Sequence, residues 1–554
     1  MAFFNHYVNM VSESSSAHTR LIRDYDELTN KDFDYIVIGS GFGGGILADE
    51  LANRLGHSHR ILLLDAGSFI YPTHVYNFSK IPNSSTAQHF GADNFSPWPD
   101  DTYFIGGKPQ MAFGGRSVFW SGLIPQVRDW ELDFFPDAVR DDLVQQFLTK
   151  AGAKMNQSVS LGIMAKNIVA HFKNSNLGDD FDVEETPRAV HQPYLKANGT
   201  LDDRFFHEPT GVFNTAELLI NQVGLTSNNT NLNGKGLFIK LNTFVEGVRD
   251  IPFNWHEVKT TNTITSESLS FYAPKVIIAA GAIESPKLIN RSSVYHRLPD
   301  DIKRHVGFGL TDHPVTGESQ AYVSSLGNMP ITRKDHAKII FYSKGKLDAQ
   351  GNIQYPFNIE MNVNHEYWHL RDNDPSAEPE PDNTAKARVD IKFSFANCLD
   401  DNNGIFSHVN DRYIPAIRFK RFSDLDDLLQ SRFPAIAGWN KTHQQFFDLL
   451  NGTRNRVFNE FNGVDWLKAE YGGGDNKQWP FGWGTVHHAC GTLRMPWKSH
   501  RHAGFNVESV VDENLNVKGA PGLYVCDMSV MPVSTAANPV RTLAALALRL
   551  SRHL

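Results

Sequence analysis

The sequence predicts an α/β fold in which one domain is assembled from separated segments of the chain and a second, α+β domain is inserted between them. Two observations predict the first domain. Apolar, β-rich runs meet glycine clusters and then helical spacing near residues 34–55 and 275–290, and glycine-rich buried segments return after residue 480. A third observation predicts the second domain, because residues 315–479 alternate short strand-like pieces with charged and proline-rich turns. We expect a parallel sheet in the first domain and an antiparallel sheet in the second.

Length and composition exclude several classes of protein. The chain has 554 residues, 41% of them hydrophobic, which is enough for two domains with large cores. Its net charge of −8 offers no basic field for phosphate backbones, so nucleic acid is not expected as a partner. No apolar run approaches the roughly 20 residues that span a bilayer, so membrane insertion is not expected. Three cysteines without a CxxC pair, and an N-terminus without a targeting pattern, predict a reducing, cytoplasmic location.

A dinucleotide fingerprint occupies the first strand-to-helix junction. Gly39, Gly41 and Gly44 have the spacing in which the first glycine permits a tight turn, the second lets the backbone approach a pyrophosphate, and the third lets helix and strand pack closely. Phe42 lies among them and is a further cofactor-binding candidate. Asp65 ends the next strand, where a carboxylate can hydrogen-bond an adenosine ribose. The pattern predicts a Rossmann-like domain and by itself leaves NAD and FAD both open.

Six further blocks resemble the glucose-methanol-choline (GMC) oxidoreductases, a family of FAD enzymes. They are the glycine loop at 114–122, an AGAxxSP-like turn at 280–286, a VGxxLxDHP-like block at 306–314, and the segments 484–492, 523–527 and 532–540. Within this family, the motif at residues 485–495 most resembles that of pyranose oxidases and bacterial sugar dehydrogenases. The pairing of a histidine with an asparagine points to the same members. The resemblance implies FAD as the cofactor. It covers the predicted nucleotide domain and not the inserted one.

The resemblance also implies which residues hold FAD. The corresponding positions are Gly39, Gly41, Phe42, Gly44 and Asp65 around the ADP half, Gly114, Gly115 and Ser117 in the glycine loop, Val245, Ala280 and Gly281 around the adenine, and Asp527, Pro539 and Val540 near the ribityl chain and ring. Family members with covalent flavin carry a histidine in the glycine loop, where this chain has residues 118–120 without a nucleophile. We therefore expect non-covalent FAD.

His488 and Asn538 are the catalytic candidates, because the resemblance aligns them with the pair that faces the flavin ring at the substrate carbon. A neutral imidazole is suited to accept a hydroxyl proton near pH 7, and an asparagine can fix the substrate oxygen by hydrogen bonds. Histidines more often pack than catalyse. His487 is one position off the motif and is interpreted as a neighbour that either tunes the site or packs, and its role stays open. His313 lies far away in the sequence and is interpreted as structural, and Cys490 is interpreted as a packing residue. The histidine pairs lack the carboxylate partners of a metal site, so no metal is expected.

Together these residues predict an FAD-dependent oxidoreductase that oxidises a CH–OH group of a sugar, glycoside or related alcohol to a carbonyl. Oxygen or another electron acceptor would reoxidise the flavin. The alternatives left open are an aryl or aliphatic alcohol oxidase or dehydrogenase, and an FAD-containing lyase in which His488 does acid–base work alone. A non-catalytic scaffold and an NAD-dependent dehydrogenase fit the motifs less well.

The domain boundaries follow from the positions of the motifs. Residues 1–30 are interpreted as a polar N-terminal arm. Residues 31–135, 202–314 and 480–554 are assigned to the FAD-binding domain, and residues 136–201 and 315–479 to the substrate-binding domain. The acidic, proline-rich stretch 372–385 is a candidate lid. The sequence does not determine the oligomeric state.

Overall fold

The computed structural model describes residues 21–22, 30–69, 74, 110–158, 162–191, 211–227, 234–315, 319–364, 386–399, 401–407, 415–418, 442–468, 487–497 and 509–554. The candidate lid at 372–385 and most of the predicted N-terminal arm lie outside these residues. The division of the chain into two domains therefore remains a proposal, and the sheets are described here one by one.

A six-stranded parallel sheet is built from both ends and the middle of the chain. Its strands are β1 (Leu21–Ile22), β2 (Tyr35–Ile38), β3 (Arg60–Leu64), β5 (Gly236–Lys240), β9 (Lys275–Ile278) and β20 (Leu523–Val525). They lie side by side in the order β1-β5-β3-β2-β9-β20. Strands β2, β3 and β9 are runs of buried apolar residues, as expected for a parallel sheet covered on both faces.

Helices and a small antiparallel sheet surround this sheet. Its helices are α1 (Phe42–Leu55), α7 (Thr215–Ser227), α8 (Gly281–Arg291) and α11 (Val540–His553), and the small sheet consists of β6 (Thr243–Ile251), β7 (Trp255–Asn262) and β8 (Ser268–Ala273). Helix α1 packs against α7 and α11, while α8 packs against β6. Residues Arg541–Ser551 of α11 are all buried, which explains the alanine- and leucine-rich composition of this helix.

The second large sheet is antiparallel, as the alternating pattern predicted. Its strands are β4 (Phe181–Glu185), β10 (Ser319–Val323), β13 (Ala337–Ser343), β14 (Phe357–Val363), β15 (Ala387–Phe395) and β19 (Asp465–Lys468), in the order β19-β10-β15-β14-β13-β4. The strand patterns at 338–342, 357–363 and 388–395 coincide with β13, β14 and β15. The pattern at 413–419 corresponds to β17 (Pro415–Arg418), which pairs with β16 (Gly404–Ser407) outside the large sheet.

The remaining elements are short. They are the strands β11 (Ser325–Leu326), β12 (Met329–Pro330) and β18 (Phe461–Asn462), and the helices α2 (Asp129–Leu132), α3 (Asp137–Asp142), α4 (Leu148–Lys154), α5 (Ile163–Lys173), α6 (Asn176–Asp180), α9 (Asp300–Lys303) and α10 (His443–Phe458). A π-helical turn, Leu143–Phe147, joins α3 to α4, and 3₁₀ turns lie at Gly115–Val118, Pro252–Asn254, Ser293–Arg297 and Met528–Val530. None of the helices in the described ranges has the length and apolar character needed to cross a bilayer.

An aromatic cluster forms part of the core behind the large antiparallel sheet. The ring of Phe357 is fully buried, and its centroid lies 5.0 Å from that of Phe393, 5.2 Å from that of Phe395 and 5.9 Å from that of Tyr355. Rings at these distances in tilted arrangements contribute both buried area and favourable edge-to-face contacts.

Replacement of Phe357 by alanine is expected to lower the free energy of unfolding by about 3–5 kcal/mol, because the rigid neighbours cannot fill the cavity that the ring leaves. Urea denaturation of the purified variant measures this loss. The matched control is Phe253→Ala, since Phe253 is 93% exposed, and its change is expected to stay within about 0.5 kcal/mol. Equal losses in the two variants would contradict this account of the core.

Candidate functional site

A cavity lies at the carboxyl ends of β2, β3 and β9, where ligands bind in open parallel sheets. The predicted cofactor residues that line it are Gly39, Gly41, Phe42, Asp65, Gly115, Val245, Ala280, Gly281 and Asp527. The predicted residues Gly44, Gly114, Ser117, Pro539 and Val540 do not line it, and neither do His488 and Asn538. The structure thus brings nine of the predicted cofactor residues together from six separate parts of the sequence.

The three glycines of the fingerprint differ in what an added side chain would contact. Gly39 has a φ of +102°, and a Cβ there would overlap the carbonyl oxygen of Ala279. A Cβ at Gly44 would overlap the carbonyl oxygen of Gly39. A Cβ at Gly41, in contrast, would have no heavy atom of the described chain within 4 Å, because this position opens into the cavity. The turn itself therefore requires Gly39 and Gly44, whereas Gly41 matters for what approaches the backbone from the cavity.

The N-terminus of α1 faces the same cavity. Helix α1 has 14 residues, and its first-turn residues Gly41, Phe42 and Gly43 are among the lining residues. Its N-cap is Gly41, which supplies no side-chain hydrogen bond, and its first turn contains no acidic residue. The helix thus offers unpaired N–H groups and the positive end of its dipole to an anionic ligand such as a pyrophosphate.

Asp65 organises the glycine turn as well as lining the cavity. Its Oδ2 accepts hydrogen bonds from Ser40 N at 2.8 Å and Ser40 Oγ at 2.5 Å, and its Oδ1 accepts one from Gly67 N at 2.7 Å. Burial raises the pKa of Asp65 above its usual value, while these hydrogen bonds act in the opposite direction. Ser40 Oγ also accepts from Gly114 N at 2.8 Å. Ser40 was not among the residues predicted from the sequence, although its position between two fingerprint glycines is the signal that could have found it.

The glycine loop is held against the turn by hydroxyl groups. Gly114 and Gly115 have positive φ values of 91° and 53°, which start the 3₁₀ turn. Ser117 Oγ donates to Gly114 O at 2.7 Å and accepts from Thr215 N at 2.9 Å, and Thr215 Oγ1 donates to Ser40 O at 2.7 Å. Gly114 and Ser117 therefore shape the loop from behind, and Gly115 is the glycine that reaches the cavity.

Asp527, at the end of β20, binds backbone N–H groups in the same way as Asp65. Its Oδ2 accepts from Gly281 N at 3.0 Å and from Ser285 Oγ at 2.5 Å, and its Oδ1 accepts from Ser529 N at 2.8 Å. Burial raises the pKa of Asp527 above its usual value, against these hydrogen bonds. At the adenine side of the cavity, Arg291 Nη2 donates to the carbonyl oxygen of Val245 at 2.6 Å.

His488 is paired with His313, a contact that the sequence reasoning missed. The ring centroids of the two histidines lie 4.6 Å apart with an interplanar angle of 76°. His488 Nδ1 is buried and has no hydrogen-bond partner within the described ranges. Burial holds the pKa of His488 well below its usual value, and His313, His487, Lys392 and Arg116 lower it further. His313 was interpreted as a structural residue because it lies far from His488 in the sequence, and the fold brings the two rings into contact.

His313 also joins His488 to the segment that carries Asn538. Its Nδ1 lies 3.0 Å from the carbonyl oxygen of Thr535, to which an Nδ1–H can donate. Burial lowers the pKa of His313 to about 4, so the ring is neutral near pH 7. Thr535 Oγ1 donates to Ala537 O at 2.7 Å, one residue before Asn538. The two catalytic candidates are thus connected through one imidazole and one short turn.

Glu131 holds that turn from the other side. The carboxylate is fully buried, and its Oε1 accepts from Ala537 N at 3.0 Å while its Oε2 accepts from Arg128 N at 3.0 Å. Burial raises the pKa of Glu131 to about 7, against the backbone hydrogen bonds. The amide of Asn538 itself forms no hydrogen bond with any part of the chain that the structure describes, so it is available to a ligand. Sequence reasoning missed Glu131, because nothing in a short acidic helix signals burial.

His487 and Arg116 form a pair at the wall of the cofactor cavity. Arg116 Nη1 donates to His487 Nδ1 at 2.8 Å, and both residues line the cavity. His487 adopts a positive φ of 61°, and its neighbour His488 is not among the residues that line the cavity. Cys490 is fully buried, and burial raises the pKa of its thiol, as expected of a packing residue. No group of three or more His, Cys, Asp and Glu residues that could hold a metal occurs in the described ranges.

Comparisons with known proteins give one family and several similar structures. A family model described as GMC oxidoreductase matches residues 453–547. A C-glycoside 3-oxidase from Microbacterium trichothecenolyticum is 24% identical over 562 residues, which span 94% of this chain and 96% of that protein.

Two solved structures share the fold. Pyridoxine 4-oxidase from Mesorbium loti aligns with a TM-score of 0.57 and 15% identity over 94% of this chain and 98% of that one. A formate oxidase variant from Aspergillus oryzae RIB40, studied for FAD modification, aligns with a TM-score of 0.56 and 14% identity over 95% of this chain and 98% of that one.

Gly41→Ala and Gly44→Ala are expected to separate cofactor binding from folding. Gly41→Ala should fold with wild-type stability and lose bound FAD, because its methyl group meets only the cavity. Gly44→Ala should be destabilised by about 1–3 kcal/mol, because its methyl group overlaps backbone. The 450 nm absorbance per protein and urea denaturation of the FAD-free forms measure the two effects. A Gly41→Ala protein with full FAD content would contradict the assignment of the cavity.

Proposed function

We propose that this chain, which belongs to the glucose-methanol-choline oxidoreductases and is an FAD-dependent enzyme, oxidises a CH–OH group of a sugar or glycoside to a carbonyl. The observation that carries this proposal is the neutral imidazole of His488, packed on His313 and joined through Thr535 to the turn that presents the unbonded amide of Asn538. One group can accept a proton and the other can hold an oxygen, which are the two protein functions that alcohol oxidation needs.

The residues of the first cavity fit FAD. The open side of Gly41 and the uncapped N-terminus of α1 are suited to the pyrophosphate, Asp65 lies where a ribose would come, and Val245 and Gly281 lie on the adenine side. In the glycine loop, residues 118–120 correspond to the stretch where covalent members carry a histidine, and none of them is a nucleophile, which supports non-covalent attachment. When bound, FAD supplies the hydride acceptor, and the protein supplies binding, orientation and proton transfer.

His488 is proposed as the base that accepts the hydroxyl proton. Its Nδ1 is enclosed and has no hydrogen-bond partner among the described residues, so Nε2 is the nitrogen proposed to meet the substrate. Because burial and nearby positive groups keep the imidazole neutral, the lone pair of Nε2 is free throughout the physiological pH range. The amide of Asn538 would donate to the same oxygen and stabilise the charge that develops as the proton leaves.

A polyhydroxylated substrate is supported by the antiparallel sheet next to the histidines. Even-numbered residues of β14 point to one face, which carries the polar side chains of Asn358, Glu360 and Asn362. The charge of Glu360 interacts with His313, and its Oε2 lies 3.0 Å from Lys392 Nζ. Polar and charged groups next to His313 support a hydroxylated substrate more than an aryl or alkyl one.

The similarity to a C-glycoside 3-oxidase supports a glycoside as substrate and oxygen as electron acceptor. We keep the aryl or aliphatic alcohol oxidase and the lyase as alternatives from the sequence. A cytoplasmic location is proposed from the cysteines, since Cys398, Cys490 and Cys526 are all buried and none of them forms a disulfide.

The substrate proposal predicts which compounds reduce the flavin. Under anaerobic conditions, the 450 nm absorbance of the purified protein should bleach with a C-glycoside or glucose and stay unchanged with benzyl alcohol or pyridoxine. The matched control is 3-deoxyglucose, which lacks the hydroxyl group that the C-glycoside relative is named for oxidising. Bleaching by benzyl alcohol alone would favour the aryl alcohol alternative, and no bleaching by any hydroxylated compound would favour the lyase.

His488→Ala is expected to slow flavin reduction by a factor of roughly 10²–10⁴ without loss of bound FAD, because the proton acceptor is removed while the cofactor cavity is intact. Stopped-flow absorbance at 450 nm measures the rate. His57→Ala removes an exposed histidine elsewhere and should leave the rate unchanged.

The pH dependence gives a second readout of the same prediction. Since the pKa of His488 lies well below its usual value, the wild-type rate should be flat from about pH 6 to pH 8 and should fall only at lower pH, when the base becomes protonated. A wild-type rate that rises through pH 6.5, or a variant as fast as wild type, would show that His488 is not this base.

A further inference from the structure

A second cavity lies apart from the cofactor cavity, at the β4 edge of the antiparallel sheet. Its volume is about 200 Å³, far above the roughly 10–15 Å³ that one water needs by the same measure. Its walls are almost entirely polar and are formed by Gln126, Arg128, Gln157, Ser158, Glu184, Glu185, Thr186, Pro187, Tyr342 and Arg541. None of the residues predicted for the cofactor or for proton transfer lines it.

Arg541 brings a buried positive charge to this cavity without a bonded counter-charge. The residue is 6% exposed, and its Nε donates to Leu148 O at 3.0 Å. Its two terminal nitrogens form no hydrogen bond or ion pair with the described residues. Burial lowers the pKa of Arg541 below its usual value, and Tyr342 and Glu184 oppose this effect from a distance. A buried guanidinium in this state is destabilising unless something in the cavity binds it.

The other charged residues of the wall do not bind the terminal nitrogens of Arg541. Arg128 lies 3.8 Å above the ring of Tyr342, and its Nη2 donates to Glu184 Oε1 at 2.7 Å. This pair is neutral as a whole. Glu185 is opposite Ile339, so its side chain points to the other face of the sheet from that of Glu184. Arg128 and Glu184 thus bind each other, while Glu185 belongs to the wall through a residue whose side chain is on the other face of the strand, so the terminal nitrogens of Arg541 are cationic donors of the wall without a bonded partner in the described chain.

An occupant of the cavity must therefore supply acceptors and negative charge to the terminal nitrogens of Arg541.

We propose that this second cavity binds a small oxyanion, a carboxylate or a phosphate group, whose oxygens Arg541 takes with its two terminal nitrogens. A planar guanidinium binds such groups through two parallel hydrogen bonds. The size of the cavity leaves room for the rest of a small acid or for ordered water around the ion.

The position of the site links it to Asn538. Arg541 lies in the first turn of α11, three residues after Asn538. On the other wall, the backbone N–H of Arg128 is bound by Glu131, which also holds Ala537. An anion between these walls would thus stabilise both sides of the turn that presents Asn538.

Calorimetric titration of the FAD-loaded protein tests the site. Sodium phosphate and sodium acetate are used in separate arms, at an ionic strength held constant with sodium chloride, and saturable one-to-one binding is expected in at least one arm. Phosphate alone would indicate a phosphate ligand and acetate alone a carboxylate ligand. Arg541→Gln should weaken the binding at least about tenfold, because charge-assisted hydrogen bonds are lost. Arg140→Gln is the control, since Arg140 pairs with Asp137 and Asp141 at the surface.

A second variant keeps the test valid if Arg541→Gln loses FAD. In Gly152→Ala, the new Cβ would lie 3.0 Å from Arg541 Nη2 and 2.5 Å from Gln157 Oε1, so it displaces the guanidinium without a change of charge. It should weaken anion binding as well. The proposal is overturned if wild-type protein binds neither anion saturably, or if both Arg541→Gln and Gly152→Ala bind as tightly as wild type.

Discussion

The close approach of helix α1 to strands β9 and β20 is the constraint on which the rest of the structure depends. A Cβ at Gly39, Gly43 or Gly44 would overlap a backbone oxygen, and these oxygens belong to Ala279, Cys526 and Gly39 itself. Because three segments from distant parts of the chain meet at this one helix start, its packing fixes their relative positions. The cofactor cavity exists where it does because backbone meets backbone here, with no side chain in between.

Buried carboxylates shape the chain around that crossing. Asp65, Asp527 and Glu131 each accept hydrogen bonds from at least two backbone N–H groups, and each does so where a strand or helix gives way to a turn. Such groups satisfy peptide donors that regular structure leaves unpaired. The chemistry of the site therefore depends on acids that do not themselves react: they set the glycine turn, the start of α8 and the turn before Asn538.

Short sequence patterns were enough to predict those helices, strands and turns whose structure depends mainly on residues close together in the chain. The strand, glycine turn and helix at 35–55, the strand at 60–64, the junction at 275–291 and most strands of the antiparallel sheet have periodicities that a short window contains. The pairing of His313 with His488, and the burial of Glu131 beneath Ala537, are decided by how distant segments pack. A two-residue strand such as β1, or the polar strand β4, gains its place only from the neighbours it pairs with.

The strand order of the parallel sheet has a consequence for how the protein is made. Strand β9 pairs with β2 on one side and with β20 on the other, and α1 is covered by α11. A ribosome must therefore synthesise more than two hundred residues after β9, roughly 10–50 seconds of translation, before β20 can close that edge. During this interval the nascent chain exposes an apolar strand edge and one face of a helix, the surfaces on which chaperones act and from which aggregation starts.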